Sequence, residues 1–323
     1  MKKKQLLCVL LTGLMLLVPY SGVLAEEAET RTEETEMTSA AANEEEMVSG
    51  FDQFFMAEGQ EYELDLDGDG KTESISYKDT SITDDENGDY QAKAEIYRNG
   101  ELLFQLDSYV YTYYWNFSYV TMKDGKTCLL AASISDNDWT AELLLLSQED
   151  EDSLTIVGDL AELSRKNDET SSNFLSGWAR FSYVIPSEKE NTFAVVWCET
   201  LHATGIVQTE LTYELAEDGI SLKEPPYRIW RMGQDGEINE TEQDWTAISA
   251  LDVKKEPGSE ETAYTVQPEE TVTLLETTCQ DGKIWILCEN SSKEQGWLED
   301  PEEYLYDEST GCSGCFKEAF FAG

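Results

Sequence analysis

The chain has 323 residues, 40% of them hydrophobic, and a formal charge of −45. So much acid repels phosphate backbones and anionic lipid surfaces, which excludes nucleic-acid binding and direct lipid binding. Enough apolar residues remain for a sizeable core, and a bound cation that neutralises carboxylates would relieve the surface.

Residues 1–25 place Lys2, Lys3 and Lys4 before an apolar run, Leu6–Val18, then a break at Pro19 and small residues up to Ala25. This is the pattern of a secretory signal peptide, with cleavage expected after Ala25. The run is shorter than the roughly 20 residues that cross a bilayer and no later run is longer, so no membrane span is expected in the mature chain. Residues 26–48 are rich in Glu, Thr and Ala and lack aromatic side chains, which predicts a disordered acidic spacer. The expected location is secreted or cell-surface.

From residue 49 to 253 the pattern is that of strands. Runs such as TCLLAASI, AELLLLS, FAVVW and ELTYEL are separated by Asp/Asn/Gly turns, and helical periodicity is nearly absent. Asn99-Gly100 between AEIYR and ELLFQL predicts a hairpin, because both residues tolerate positive φ. Units of about 45 residues recur loosely, as in propeller blades. Few such units fit, so the fold class is all-β, with a propeller-like or a sandwich domain as the alternatives. Asp84–Asp89 and Asp136–Asp138 lack regular spacing and predict solvated turns.

The stretch DLDGDGKTE, Asp65 to Glu73, is different. Calcium takes six to eight hard oxygen ligands, and a tight loop supplies them from carboxylates at its first, third and fifth positions with a glycine at the sixth. Asp65, Asp67, Asp69 and Gly70 meet that requirement, Lys71 offers its backbone carbonyl, and Glu73 reaches back directly or through water. An EF-hand needs a glutamate at the twelfth position and a following helix, whereas Ser76 stands there within the alternating run SISY. Loop into strand resembles the calcium loops of FG-GAP and VCBS-type extracellular repeats. The resemblance implies calcium as a structural cofactor held by Asp65, Asp67, Asp69, Lys71 and Glu73.

Lys254–Gly258, with paired lysines, Pro257 and Gly258, predicts a boundary. Beyond it, residues 259–323 contain a Tyr-x-Val opening at Tyr264, alternating Val272 and Leu274, the turn Gln280–Lys283, the strand IWIL and a closing Gly296-Trp297. This order resembles the bacterial SH3-like (SH3b) family. It implies a small β-barrel without catalysis that binds a cell-wall peptide or a protein partner, in a groove near Tyr264, Trp285, Trp297 and Tyr304. Core packing is the competing role for Trp285, which lies within an apolar strand.

Cys279, Cys288, Cys312 and Cys315 are disulfide candidates in an exported chain, with free thiols, a zinc site or a redox motif as the alternatives. His202 is the only histidine, and four residues along a strand put it about 13 Å from Cys198, too far for a catalytic pair. The expected function is binding or adhesion at the outer cell surface or cell wall. The alternative is an extracellular hydrolase with a carboxylate pair in the β domain.

Overall fold

The computed structural model describes residues 56–84, 89–108, 112–135, 139–150, 153–165, 175, 179–216, 219–231, 243–302, 306–307, 312–319 and 321. The signal at 1–25, the spacer at 26–48, most of the acidic turn at 84–89, the turn at 136–138 and Tyr304 lie outside them.

Among the described residues the chain is almost wholly antiparallel β. Strands β1 (Tyr62–Leu64), β2 (Glu73–Asp79), β3 (Ile82–Asp84), β4 (Asp89–Arg98) and β5 (Glu101–Ser108) form the first sheet, with β4 at its centre. The β4–β5 hairpin turns at Asn99-Gly100, whose φ values are 51° and 80°. A meander of β6 (Thr112–Thr121), β7 (Thr127–Ser135), β8 (Thr140–Asp150) and β9 (Ser153–Asp159) forms the second sheet. A single helical turn, α1 (Leu160–Ser164), follows, capped by the Asp159 carboxylate, which accepts from the Ala161 amide at 2.9 Å.

The third sheet is the largest. Its path runs through β10 (Arg180–Pro186), β11 (Thr192–Leu201), β12 (Gly205–Ala216) and β14 (Tyr227–Arg231), then on to β18 (Thr271–Gln280), β19 (Lys283–Asn290), β20 (Gln295–Glu299), β16 (Leu251–Lys254) and β17 (Thr262–Val266). Off this path, β13 (Gly219–Leu222) pairs with β12, and β15 (Asp244–Thr246) pairs with β18.

Alternation along β7 explains how the sheets stack. Cys128, Leu130, Ala132 and Ile134 share one core with Phe193, Val195, Trp197 and Leu211 of the third sheet. Leu129 and Ala131 share another with Leu64, Ile75, Tyr77 and Ile96 of the first sheet and with Leu66 of the loop between β1 and β2. The meander is therefore a middle layer, buried on both faces, and TCLLAASIS is buried at every position for that reason. Stacked sheets decide between the two architectures in favour of a sandwich-like fold.

One expectation is corrected here. Among the described residues the C-terminal strands form no closed barrel: they run β18-β19-β20-β16-β17 without β17 pairing to β18, and the sheet continues from β18 into β14 through Tyr227↔Thr277 and Arg228↔Glu276. The Pro/Gly stretch at Lys254–Gly258 is the turn of the β16–β17 hairpin, closed by the Lys255 amide on the Glu261 carbonyl at 2.9 Å. Sheet edges satisfied by neighbouring strands, rather than by closure, carry the C-terminal strands into the same core as β11 and β12.

Candidate metal and ligand sites

The loop from Asp65 to Thr72 leaves β1 and enters β2. Its middle is pinned inward by Leu66, fully buried among Ile75, Ile96 and Leu129. The Asp65 carbonyl accepts the Thr127 amide at 2.7 Å, which ties the loop to the start of β7. With Leu66 inside, the residues on either side must turn out, and Gly68 and Gly70 do so at φ +76° and +83°, where a side chain would be strained.

The carboxylates then fold back over the loop's own amides. Asp65 accepts from Gly68 at 2.7 Å and from Gly70 at 2.9 Å, Asp67 accepts from Asp69 at 3.0 Å, and Asp69 accepts from Lys71 at 2.8 Å. Asp65, Asp67 and Asp69 each present a carboxylate oxygen within 4.8 Å of the other two. Oxygens bound to one calcium at 2.3–2.6 Å can be up to about 5 Å apart, so one ion fits among the three.

The other two expected ligands are placed differently. Glu73 does reach back, its Oε2 accepting the Leu66 amide at 3.4 Å, but it is not one of the residues in the close group. The Lys71 ammonium lies 2.5 Å from Asp69 Oδ2. That pairing raises the Lys71 pKa and lowers that of Asp69, both at the open surface. A metal at this loop would compete with that ammonium for Asp69.

The proposed aromatic groove is not one surface. Tyr264 pairs with the core residue Val253 and donates its hydroxyl to the Cys288 carbonyl at 2.9 Å, so it faces inward. Trp285 and Trp297 share the opposite face: Trp297 pairs with Leu287, two residues from Trp285 on the same strand. Trp285 is only 3% exposed, and its indole N–H has no hydrogen-bond partner among the described residues. Trp297 is half-buried and, of the three aromatics among the described residues, is the one left to meet a partner.

The thiols are separated by register. Cys279 pairs with Ile284 and Cys288 with Leu274, which puts them about 15 Å apart along the hairpin, beyond disulfide reach. Cys288 and Cys315 are free thiols, and burial pushes Cys315 up to about 12. The side chain of Cys312 lies outside the described residues. Burial likewise raises the Cys198 thiol, the opposite of what a nucleophile requires.

One polar junction gave no sequence signal. The Asp300 carboxylate accepts the amides of Ala203 at 2.7 Å and His202 at 3.1 Å, and the His202 Nδ1–H donates to the Pro301 carbonyl at 2.5 Å. The Cys315 amide closes the same turn on the Ala203 carbonyl at 2.7 Å, beside Gly314, where a Cβ would stand 2.6 Å from that oxygen. Burial raises the Asp300 carboxyl to about 6 despite both amide bonds. The residues that meet here are about a hundred positions apart, so no local pattern announces them.

The fold and its loop define a layered, all-β, strongly acidic protein with an exposed three-aspartate turn. No protein-family model matches the chain, and no curated protein matches it either. Among the described residues, no helix is long and apolar enough to cross a membrane.

Proposed function

We propose that the protein is exported and acts by binding, without catalysis, at the outer cell surface or cell wall, with calcium holding the Asp65–Glu73 loop. The observation that carries the metal is the set of three carboxylate oxygens within 4.8 Å on a loop anchored by buried Leu66. The export signal and the kinship with FG-GAP/VCBS-type loops and SH3b modules are part of the same reading, supported by the motifs of the sequence.

Calcium affinity is expected in the range of extracellular modules, with Kd on the order of 10⁻⁴ to 10⁻³ M. Calorimetry of calcium into the intact protein should give heat that disappears in Asp67→Ala. No calcium-dependent heat in the unaltered chain, or equal heat in both, refutes the metal. Co-sedimentation with peptidoglycan, lost in Trp297→Ala, is the expected result for the wall-directed part, and a chain that stays in the supernatant with and without calcium counts against it.

A further inference from the structure

On the face of the third sheet turned away from the core, cross-strand pairing places Glu210, Arg228, Glu276 and Leu287 in one row, on β12, β14, β18 and β19. Neighbouring pairs of this kind have Cβ atoms about 5 Å apart. The row borders a cleft of about 530 Å³. Its apolar wall includes Leu287, Pro226 and Leu275, the last re-aimed outward by the irregularity between Leu274 and Glu276.

The charges in this row do not neutralise one another. The Arg228 guanidinium lies 3.6 Å from the Trp230 ring centroid, two residues along the same face, and makes no hydrogen bond or ion pair among the described residues. The carboxylates of Glu210 and Glu276, its neighbours on either side, are likewise without one among the described residues. An arginine held flat on an indole keeps its planar fork of donors oriented and free for a carboxylate. Carboxylates one strand away on both sides await an ammonium.

We propose that this cleft binds an α-amino acid with an apolar side chain, its carboxylate on Arg228, its ammonium on Glu210 or Glu276, and its side chain against Leu275 and Leu287. An α-amino acid carries its two charges on adjacent atoms, which matches an arginine and a glutamate on adjacent strands. Within the row a plain anion would meet two glutamates and a plain cation would meet the arginine; Lys223, paired with Glu214, and Glu224 add one charge of each sign to the cleft wall. The proposal rests on the reading of the chain as a binding protein but not on the metal.

The test uses the intact protein in the presence of a calcium chelator, so that failure of the Asp65 loop cannot be mistaken for failure of the cleft. L-leucine and L-phenylalanine are titrated and followed by saturation-transfer NMR and calorimetry, beside N-acetyl-leucine and leucinamide. Both free amino acids should bind, and removing either charge should weaken binding about tenfold or more. Arg228→Gln should abolish the preference for leucine over leucinamide, and the double variant Glu210→Gln/Glu276→Gln the preference over N-acetyl-leucine. All these positions line an open surface, and circular dichroism checks that each variant is folded. No binding by the unaltered chain at millimolar ligand, equal binding of the blocked forms, or unchanged preferences in the variants overturns the proposal.

Discussion

Asp65 and Asp300 have the same hydrogen-bonding pattern in different surroundings. Each accepts two backbone amides, Asp65 from Gly68 and Gly70, Asp300 from Ala203 and His202. The first takes both donors from within five residues, at an exposed turn. The second takes both from nearly a hundred residues away, where desolvation holds its carboxyl at about 6. A carboxylate in an open loop organises that loop and stays available to a cation. A carboxylate in a desolvated junction is committed to joining two parts of the fold, and its charge is a cost there.

The comparison is tested most severely at Leu66. If the loop depends on its buried residue, Leu66→Ala should destabilise the protein by about 2–5 kcal/mol in urea unfolding and weaken calcium binding as well. A loop that tolerates the change with full stability is shaped by its carboxylates alone. Asp300→Ala should cost less, about 1–3 kcal/mol, because two part-buried amides lose their acceptor. Hydrogen exchange should then speed up at His202 and Ala203 and leave the Asp65 loop unchanged.

The pH dependence at Asp300 follows from the direction of its shift. The folded chain holds this proton more tightly than the unfolded chain, whose carboxyl keeps the ordinary value of 3.8. The stabilising contribution is therefore complete below about pH 4 and is lost as pH rises through about 6. Asp300→Asn should remove that trend, so the difference in unfolding free energy between the variant and the original chain should move in the variant's favour from pH 4 to pH 7. A difference that does not change with pH would mean the carboxyl titrates normally. The smallest effect is expected for Asp67→Ala without calcium: its one loop bond, to the Asp69 amide, is exposed and is worth roughly 1 kcal/mol or less. Saturating calcium should widen the gap, since an ion at 100 times its Kd adds about 2.7 kcal/mol to the chain that binds it.

Much of this molecule is written locally. Alternation and turn chemistry identify β2, the β4–β5 hairpin and the strands from TCLLAASI to ELTYEL, because side-chain direction and positive φ are properties of neighbouring residues. The aspartate loop is legible for the same reason: its donors and acceptors lie within a few positions of one another. The C-terminal aromatics were harder to place. A strand pattern says that Tyr264, Trp285 and Trp297 alternate, but not which face meets the core, and pairing with Val253 turned Tyr264 inward while Trp285 and Trp297 faced the other way.

The sequence alone determined the all-β character, the strong acidity and the grouping of Asp65, Asp67 and Asp69 in one turn, since each depends on composition or on contacts within a few residues. Only the tertiary structure decided that the meander is buried on both faces, that Arg228 stands between Glu210 and Glu276, and that Asp300 grips the turn at His202 and Ala203. Those arrangements join segments tens of residues apart. They are set by which sheet faces bury the most apolar surface together, a property of the whole chain that no short window of it contains.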